Sequence, residues 1–182
     1  MHAGTRFEKV VEPSFREKGL NSQVYINDVK RGEGFHRIVD HFGQDIATVS
    51  QKHTVALGNP GQIMGYIKEF DDKYPAGATV KDVPTSQNRD IVGQQLDGTR
   101  ILLIQPQKGI TAEQAAFAAK RDIYIADPMG RVYNEVEMGA PMRPEARDAI
   151  DIRALGLSAT SRRVGSGLLA VGAPAIGESI GH

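Results

Sequence analysis

Apolar positions along this chain come in short runs, broken by glycine, proline and polar clusters, so many brief elements joined by tight turns are expected. Gln23-Val24-Tyr25-Ile26 reads as a short strand. Over residues 34–42, Phe35, Ile38, Val39 and Phe42 recur at helical spacing and predict a helix. Residues 46–57 read as extended, up to Gly58. Asn59-Pro60 then opens the clearest helix: Asn59 caps, Pro60 suits the first helical position, and Ile63, Tyr66, Ile67 and Phe70 form one stripe ending near Tyr74.

A strand is predicted at 79–83. Residues 90–96 and 100–105 flank Asp97-Gly98 as a hairpin, with the apolar run 101–104 in a central strand. Thr111 and Gln114 make a capping-box-like start to an Ala-rich helix ending near Lys120. Residues 123–125 and 132–138 read as a second hairpin about Asp127-Pro128-Met129-Gly130, and 144–154 as a short helix. Helices interrupt antiparallel hairpins without regular βαβ alternation. The pattern therefore predicts an α+β fold of mixed, largely antiparallel sheets with short helices. The expected division is a single α+β domain over 1–157 and a Gly-rich apolar tail or linker over 158–182.

Composition narrows this picture mainly by exclusion. The 182 residues hold 22 Lys+Arg and 22 Asp+Glu, and a net charge of zero argues against a scaffold that grips nucleic-acid phosphates. With no cysteine, disulfides, thiolate metal sites and Cys nucleophiles are out. No apolar run approaches the roughly 20 residues of a membrane span.

Among candidate reactive groups, Glu135 and Glu137 stand two apart on the predicted strand. Their carboxylates then share one face at roughly 7 Å, and their repulsion raises the pKa of one. Such a pair suits stabilising a cationic centre with one acid and orienting a nucleophile with the other; a solvated edge strand carries the same spacing. His36 and Asp40 share a face of the predicted 34–42 helix, but His41 points elsewhere, which leaves a metal site one ligand short and predicts no metal. Ser86 lacks nucleophile-elbow glycines, and the pairs Gly32/Gly34 and Gly165/Gly167 match no phosphate-binding pattern.

The stretch from Asn134 through Glu135-Val136-Glu137 to Met142-Arg143-Pro144-Glu145 resembles the signature of the cholera- and pertussis-toxin-like ADP-ribosyltransferases. In that family a Glu-x-Glu strand leads through a Gly-containing turn into a short helix. The layout around Arg6, from Thr5 to Gly19, resembles the family's opening strand and charged helix. His2-Ala3-Gly4-Thr5 is similar to the His-Gly-Thr of its diphtheria-toxin branch. Thr54 to Pro60 occupies the place of the Ser-Thr-Ser strand and following helix, with Thr54 as the hydroxyl in place of the serines. The resemblance implies an ADP-ribosyltransferase-like fold and NAD as substrate in a cleft between two sheets. His2 or Arg6 would contact the NAD ribose or diphosphate, with Thr54 lining the site. Glu137 would stabilise charge as nicotinamide leaves, and Glu135 would orient the acceptor. It implies a mono-ADP-ribosyltransferase or NAD glycohydrolase. The expected setting is a bacterial toxin or effector, secreted or delivered into a target cell and otherwise cytoplasmic, with a host or competitor target protein and an immunity partner. Neither nucleic acid nor a membrane span is expected. The alternative is a non-enzymatic binding or structural subunit of a larger assembly.

Overall fold

The structure, a computed structural model, describes residues 3–54 and 57–153; for residues 3–8 and 10 it describes only the backbone of the helix they belong to. The chain divides into the units Met1–Ile152 and Arg153–His182. The expected tail at 158–182 and its boundary lie outside the described residues.

The order of elements is α1 (Ala3–Glu17), β1 (Asn21–Asn27), β2 (His36–Gly43), β3 (Ala47–Lys52), α2 (Pro60–Lys73), β4 (Thr99–Ile104), α3 (Ala112–Ala119), β5 (Tyr124–Ala126), α4 (Glu135–Met138) and α5 (Pro144–Ile150). The five strands form one mixed sheet in the order β1-β2-β3-β4-β5. β1 with β2 and β2 with β3 are antiparallel, whereas β3 with β4 and β4 with β5 are parallel. The α+β reading therefore holds in its coarse form. The expectation of largely antiparallel sheets does not, because α2 and α3 are crossovers between parallel neighbours, in two successive βαβ units.

Strand alternation builds the layers. Along β4, Leu102 and Ile104 enter the cluster formed with Ile63, Ile67 and Phe70 of α2 and Ala118 of α3. Ile101 and Leu103 enter the opposite cluster, with Val11 and Phe15 of α1 and Ala146, Ala149 and Ile150 of α5. All four β4 side chains are fully buried, as a strand covered on both faces requires.

Two helices begin as their cap residues dictate. The Asn59 side chain accepts from Gln62 N with Pro60 in the first turn, and Thr111 and Gln114 form a complete capping box. Several other elements differ from expectation. Residues 36–43 form a strand, not a helix: β2 is paired on both sides, and that pairing overrides the helical stripe. Residues 79–83 make only isolated bridges, Ile26 to Val80 and Thr79 to Gln95. Asp97-Gly98 closes no hairpin, since β4 pairs parallel to β3. Instead Asp97 Oδ1 accepts from Asp45 N (2.7 Å), and a Cβ on Gly98 (φ +72°) would lie 2.6 Å from the Ile46 backbone. The segment around Arg6 is helix α1, not an opening strand. Of the second hairpin only the bridge Ala126 to Val132 forms.

Candidate functional site

Glu135 and Glu137 lie in a four-residue helix, α4, where a strand was expected. Its cause is Asn134. That fully buried side chain accepts from Ile125 N (2.9 Å) and donates to Ile123 O (3.0 Å), closing the open side of β5 in place of another strand. On a helix, residues two apart point to different sides. Glu135 Oε1 accepts from Arg147 Nη2 and from Met142 N (3.3 Å). Glu137 is exposed and makes no hydrogen bond or ion pair among the described residues, and its neighbour Val136 is 90% exposed. The two acids therefore share no face.

Arg6 lies in α1, with its side chain outside what is described, and His2 lies outside the described residues. Thr54 is buried just beyond β3. Its Oγ1 donates to Gln62 Oε1 (3.3 Å) and its carbonyl accepts from Gln107 Nε2 (3.3 Å). Because 36–43 is a strand, Asp40 and His41 face opposite ways. His41 is buried between Ser22 Oγ (2.9 Å) and Gln51 Oε1 (2.8 Å). Among the described residues no three His, Cys, Asp or Glu side chains converge on one point.

A different constellation forms on the α2 face of the sheet. The register that pairs His41 with Val49 brings Asp40 of β2 opposite Ser50 of β3. Asp40 Oδ2 accepts from Gln51 N (2.7 Å) and Ser50 Oγ (3.5 Å), while Oδ1 accepts no hydrogen bond among the described residues. Two residues along β3, and so on the same face, Lys52 reaches Glu69 Oε1 of α2 (3.7 Å), with its ammonium 5.1 Å from the Tyr66 ring centre. Lys73, one helical turn beyond Glu69, bonds the same Oε1. An open groove of about 410 Å³ beside Glu69 is lined by Lys30, Arg37, Lys68, Asp72 and Lys73, with Lys30 paired to Asp72 (2.8 Å) and Arg37 to Asp28 (2.7 Å).

The two carboxyls are pushed in opposite directions. Burial raises Asp40 above the ordinary carboxylate range, and the Glu69 charge adds to the rise. The Gln51 amide, the Lys52 charge and the Ser50 hydroxyl oppose it without cancelling it. Burial acts on Glu69 in the same sense, but the Lys73 hydrogen bond and the charges of Lys52 and Lys73 outweigh it and hold Glu69 low. Two acids with divergent environments beside a lysine make this cluster a candidate site. The centre lies at the carboxyl end of β3, where pairing changes from antiparallel to parallel. Ligands of open α/β sheets favour such ends.

Sequence reasoning missed Lys52 and Glu69 because 17 positions and a crossover separate them, and it placed Asp40 on a helix. The available signal was the short Ser50-Gln51-Lys52 strand end followed by Glu69 on the stripe-bearing helix. Comparison with family models, with curated proteins and with solved structures finds no match for this chain.

Proposed function

We propose that this protein is a hydrolase of phosphodiesters, dependent on a divalent cation, with its centre at Asp40, Lys52 and Glu69. The observation that carries the reading is the cross-strand placement of Asp40 and Lys52 against Glu69. Asp40 stands opposite Ser50, two residues from Lys52, and the Lys52 and Lys73 ammonium groups share Glu69 Oε1 at the edge of the groove. The residues fit an oxygen-preferring cation: Asp40 Oδ1 is free among the described residues, and ions such as Mg²⁺ use one or two carboxylates and keep water and phosphate oxygens as their other ligands. Asp40 and Glu69 would hold it, and when bound it supplies Lewis-acid polarisation of a phosphoryl oxygen and a more acidic water.

The chain's own residues do the rest. The Gln51 amide and Ser50 hydroxyl fix the Asp40 carboxylate. Lys52 places a positive charge where the phosphoryl oxygens gain negative charge in the transition state. A bond forms between water oxygen and phosphorus, the ester P–O bond breaks, and the leaving oxygen takes up a proton. The groove sets Lys30, Arg37, Lys68 and Lys73 against Glu69 and Asp72, an excess of positive charge, and a polynucleotide is the substrate class proposed. With a neutral total charge, binding of a polynucleotide would rest on the local charge of this groove.

The test is cleavage of single- and double-stranded DNA and RNA with Mg²⁺ or Mn²⁺, comparing the wild type with Asp40→Asn, Lys52→Met and Glu69→Gln. Each variant is expected to lose activity by on the order of 10²–10³-fold. Wild-type inactivity on every substrate, or full activity in all three variants, overturns the proposal. The NAD-consuming reading rests on the sequence resemblance alone; nicotinamide release, compared with Glu137→Ala, tests it in the same preparations.

A further inference from the structure

A row of three side chains crosses the sheet on the face opposite to Asp40. Ser22 of β1 is paired in register with His41 of β2, and Gln51 of β3 lies two residues beyond Val49, the β3 partner of His41. His41 is buried, with its ring edge-on to Phe15 of α1 (4.8 Å between centroids). It spans the row: Nδ1 lies 2.9 Å from Ser22 Oγ and Nε2 lies 2.8 Å from Gln51 Oε1. Ser22 is only half-buried, and it lines an open cavity of about 620 Å³ formed by α1, β1 and residues 85–90. We propose that Ser22 is a nucleophile activated by His41, and that the cavity is an acyl-transfer site for carboxylic esters of hydroxyl-rich compounds. This site shares no residue with the phosphodiester centre and is independent of it.

The proton positions follow from donor and acceptor chemistry. An amide oxygen only accepts, so His41 Nε2 carries the hydrogen and donates it to Gln51 Oε1. Nδ1 is then the lone-pair nitrogen, and the Ser22 hydroxyl donates to it. Nucleophile, base and orienting acceptor stand in one line, the arrangement that activates a serine. The backbone also fixes Ser22. Its carbonyl and that of Gln23 accept from Asn88 Nδ2 (2.8 and 3.3 Å). The register that pairs Ser22 with His41 and Val24 with Val39 skips Gln23, whose φ of +52° is unfavourable for a non-glycine residue. The cavity wall is polar, with Glu12, Arg16, Gln87, Asn88 and Asp90 around Ser22, which favours a substrate rich in hydroxyls over an apolar one. In the reaction, Ser22 Oγ forms a bond to the acyl carbon while its proton passes to His41 Nδ1. The ester C–O bond breaks, and the alcohol oxygen leaves with that proton. Water then attacks the acyl-serine and gives a proton to His41. The Ser22 Oγ–acyl bond breaks, Oγ takes up that proton, and the free acid departs.

The experiment incubates the full chain with a fluorophosphonate, reads adducts by intact mass and peptide mapping, and follows acetate release from glucose pentaacetate. The wild type is expected to carry one adduct, on Ser22, and to release acetate; Ser22→Ala is expected to do neither. His41→Asn is expected to slow labelling by about 10²–10⁴-fold. Gln51 acts through His41 as a positioning residue. Gln51→Glu, which keeps an oxygen acceptor for Nε2–H, is expected to label at least as fast as the wild type, and Gln51→Met more slowly than both. A wild type without an adduct, an adduct on another residue, or equal labelling of Ser22→Ala overturns the proposal. Those two proteins decide the matter even where circular dichroism shows His41→Asn to be unfolded. A folded His41→Asn that labels at the wild-type rate overturns activation by His41, and an unchanged rate in Gln51→Met removes Gln51 from its role. Labelling of Ser22 without acetate release overturns the substrate class.

Discussion

Two acidic regions of this molecule invite comparison: α4 with Glu135 and Glu137, and the centre built from Asp40, Lys52 and Glu69. In the first, the acids are neighbours in sequence and strangers in space. Glu135 is neutralised by Arg147, and Glu137 stands in solvent on a short helix that follows the structural plug Asn134. In the second, the acids are 29 positions apart and meet through strand register and a crossover helix. There burial presses on both carboxyls; Lys52 acts on both, and only at Glu69, where Lys73 joins it, is burial outweighed. The difference teaches that adjacency along the chain concentrates charge, whereas a reactive centre requires that charge be held against its preference for water.

The largest test of this contrast is catalytic. The substitutions at Asp40, Lys52 and Glu69 abolish hydrolysis on the proposed reading, while Glu137→Ala leaves it at the wild-type level. Loss of hydrolysis in Glu137→Ala would break the comparison outright. Next in size is a stability effect in the α4 region. Asn134→Ala strips two hydrogen bonds from the backbone edge of β5 and leaves Ile125 N and Ile123 O buried and unpaired there. We expect it to cost about 2–3 kcal/mol in urea unfolding; a cost below about 0.5 kcal/mol would refute its role as a plug.

Asp40→Asn is expected to act in the opposite direction. Because the folded-state pKa of Asp40 lies above its ordinary value of 3.8, the ionised group destabilises the fold, fully so above the raised pKa. The penalty fades as pH falls toward 3.8. With chelator present, the asparagine variant should therefore melt higher than the wild type at pH 7, and the two should converge as the pH approaches 4. A lower melting point at pH 7 would mean that Asp40 serves stability rather than function. The smallest effect belongs to Glu137→Ala again, now in denaturation: its urea midpoint should coincide with that of the wild type, as for an exposed side chain without partners.

How much of this was legible in the chain follows from the range of the signals. The helix α2 was readable because Asn59, Pro60 and the Ile63–Ile67–Phe70 stripe all lie within a few residues of each other. The α3 capping box was readable for the same reason. Strand β1 and the buried run of β4 declared themselves by composition. Strand β2 did not, since Phe35, Ile38, Val39 and Phe42 satisfy a helical stripe as well as a strand pressed between two others. Residues 132–138 failed as a strand because a single asparagine caps the sheet edge, and nothing in the spacing of Glu135 and Glu137 records that. Asp40 was noticed for its neighbours His36 and His41, and the strand put His41 on the opposite face.

By itself the sequence determined the local parts: where helices start, which runs are apolar enough to be buried, and that thiol chemistry is absent. These depend on interactions spanning four or five residues, which a linear pattern encodes directly. Only the tertiary structure decided that β3, β4 and β5 run parallel, that Asp40 stands opposite Ser50, and that α2 carries Glu69 and Lys73 to Lys52. Register and crossover are set by how two apolar faces of one sheet are covered at once, a condition on the whole unit rather than on any window of it. The centre proposed for function exists only through that condition.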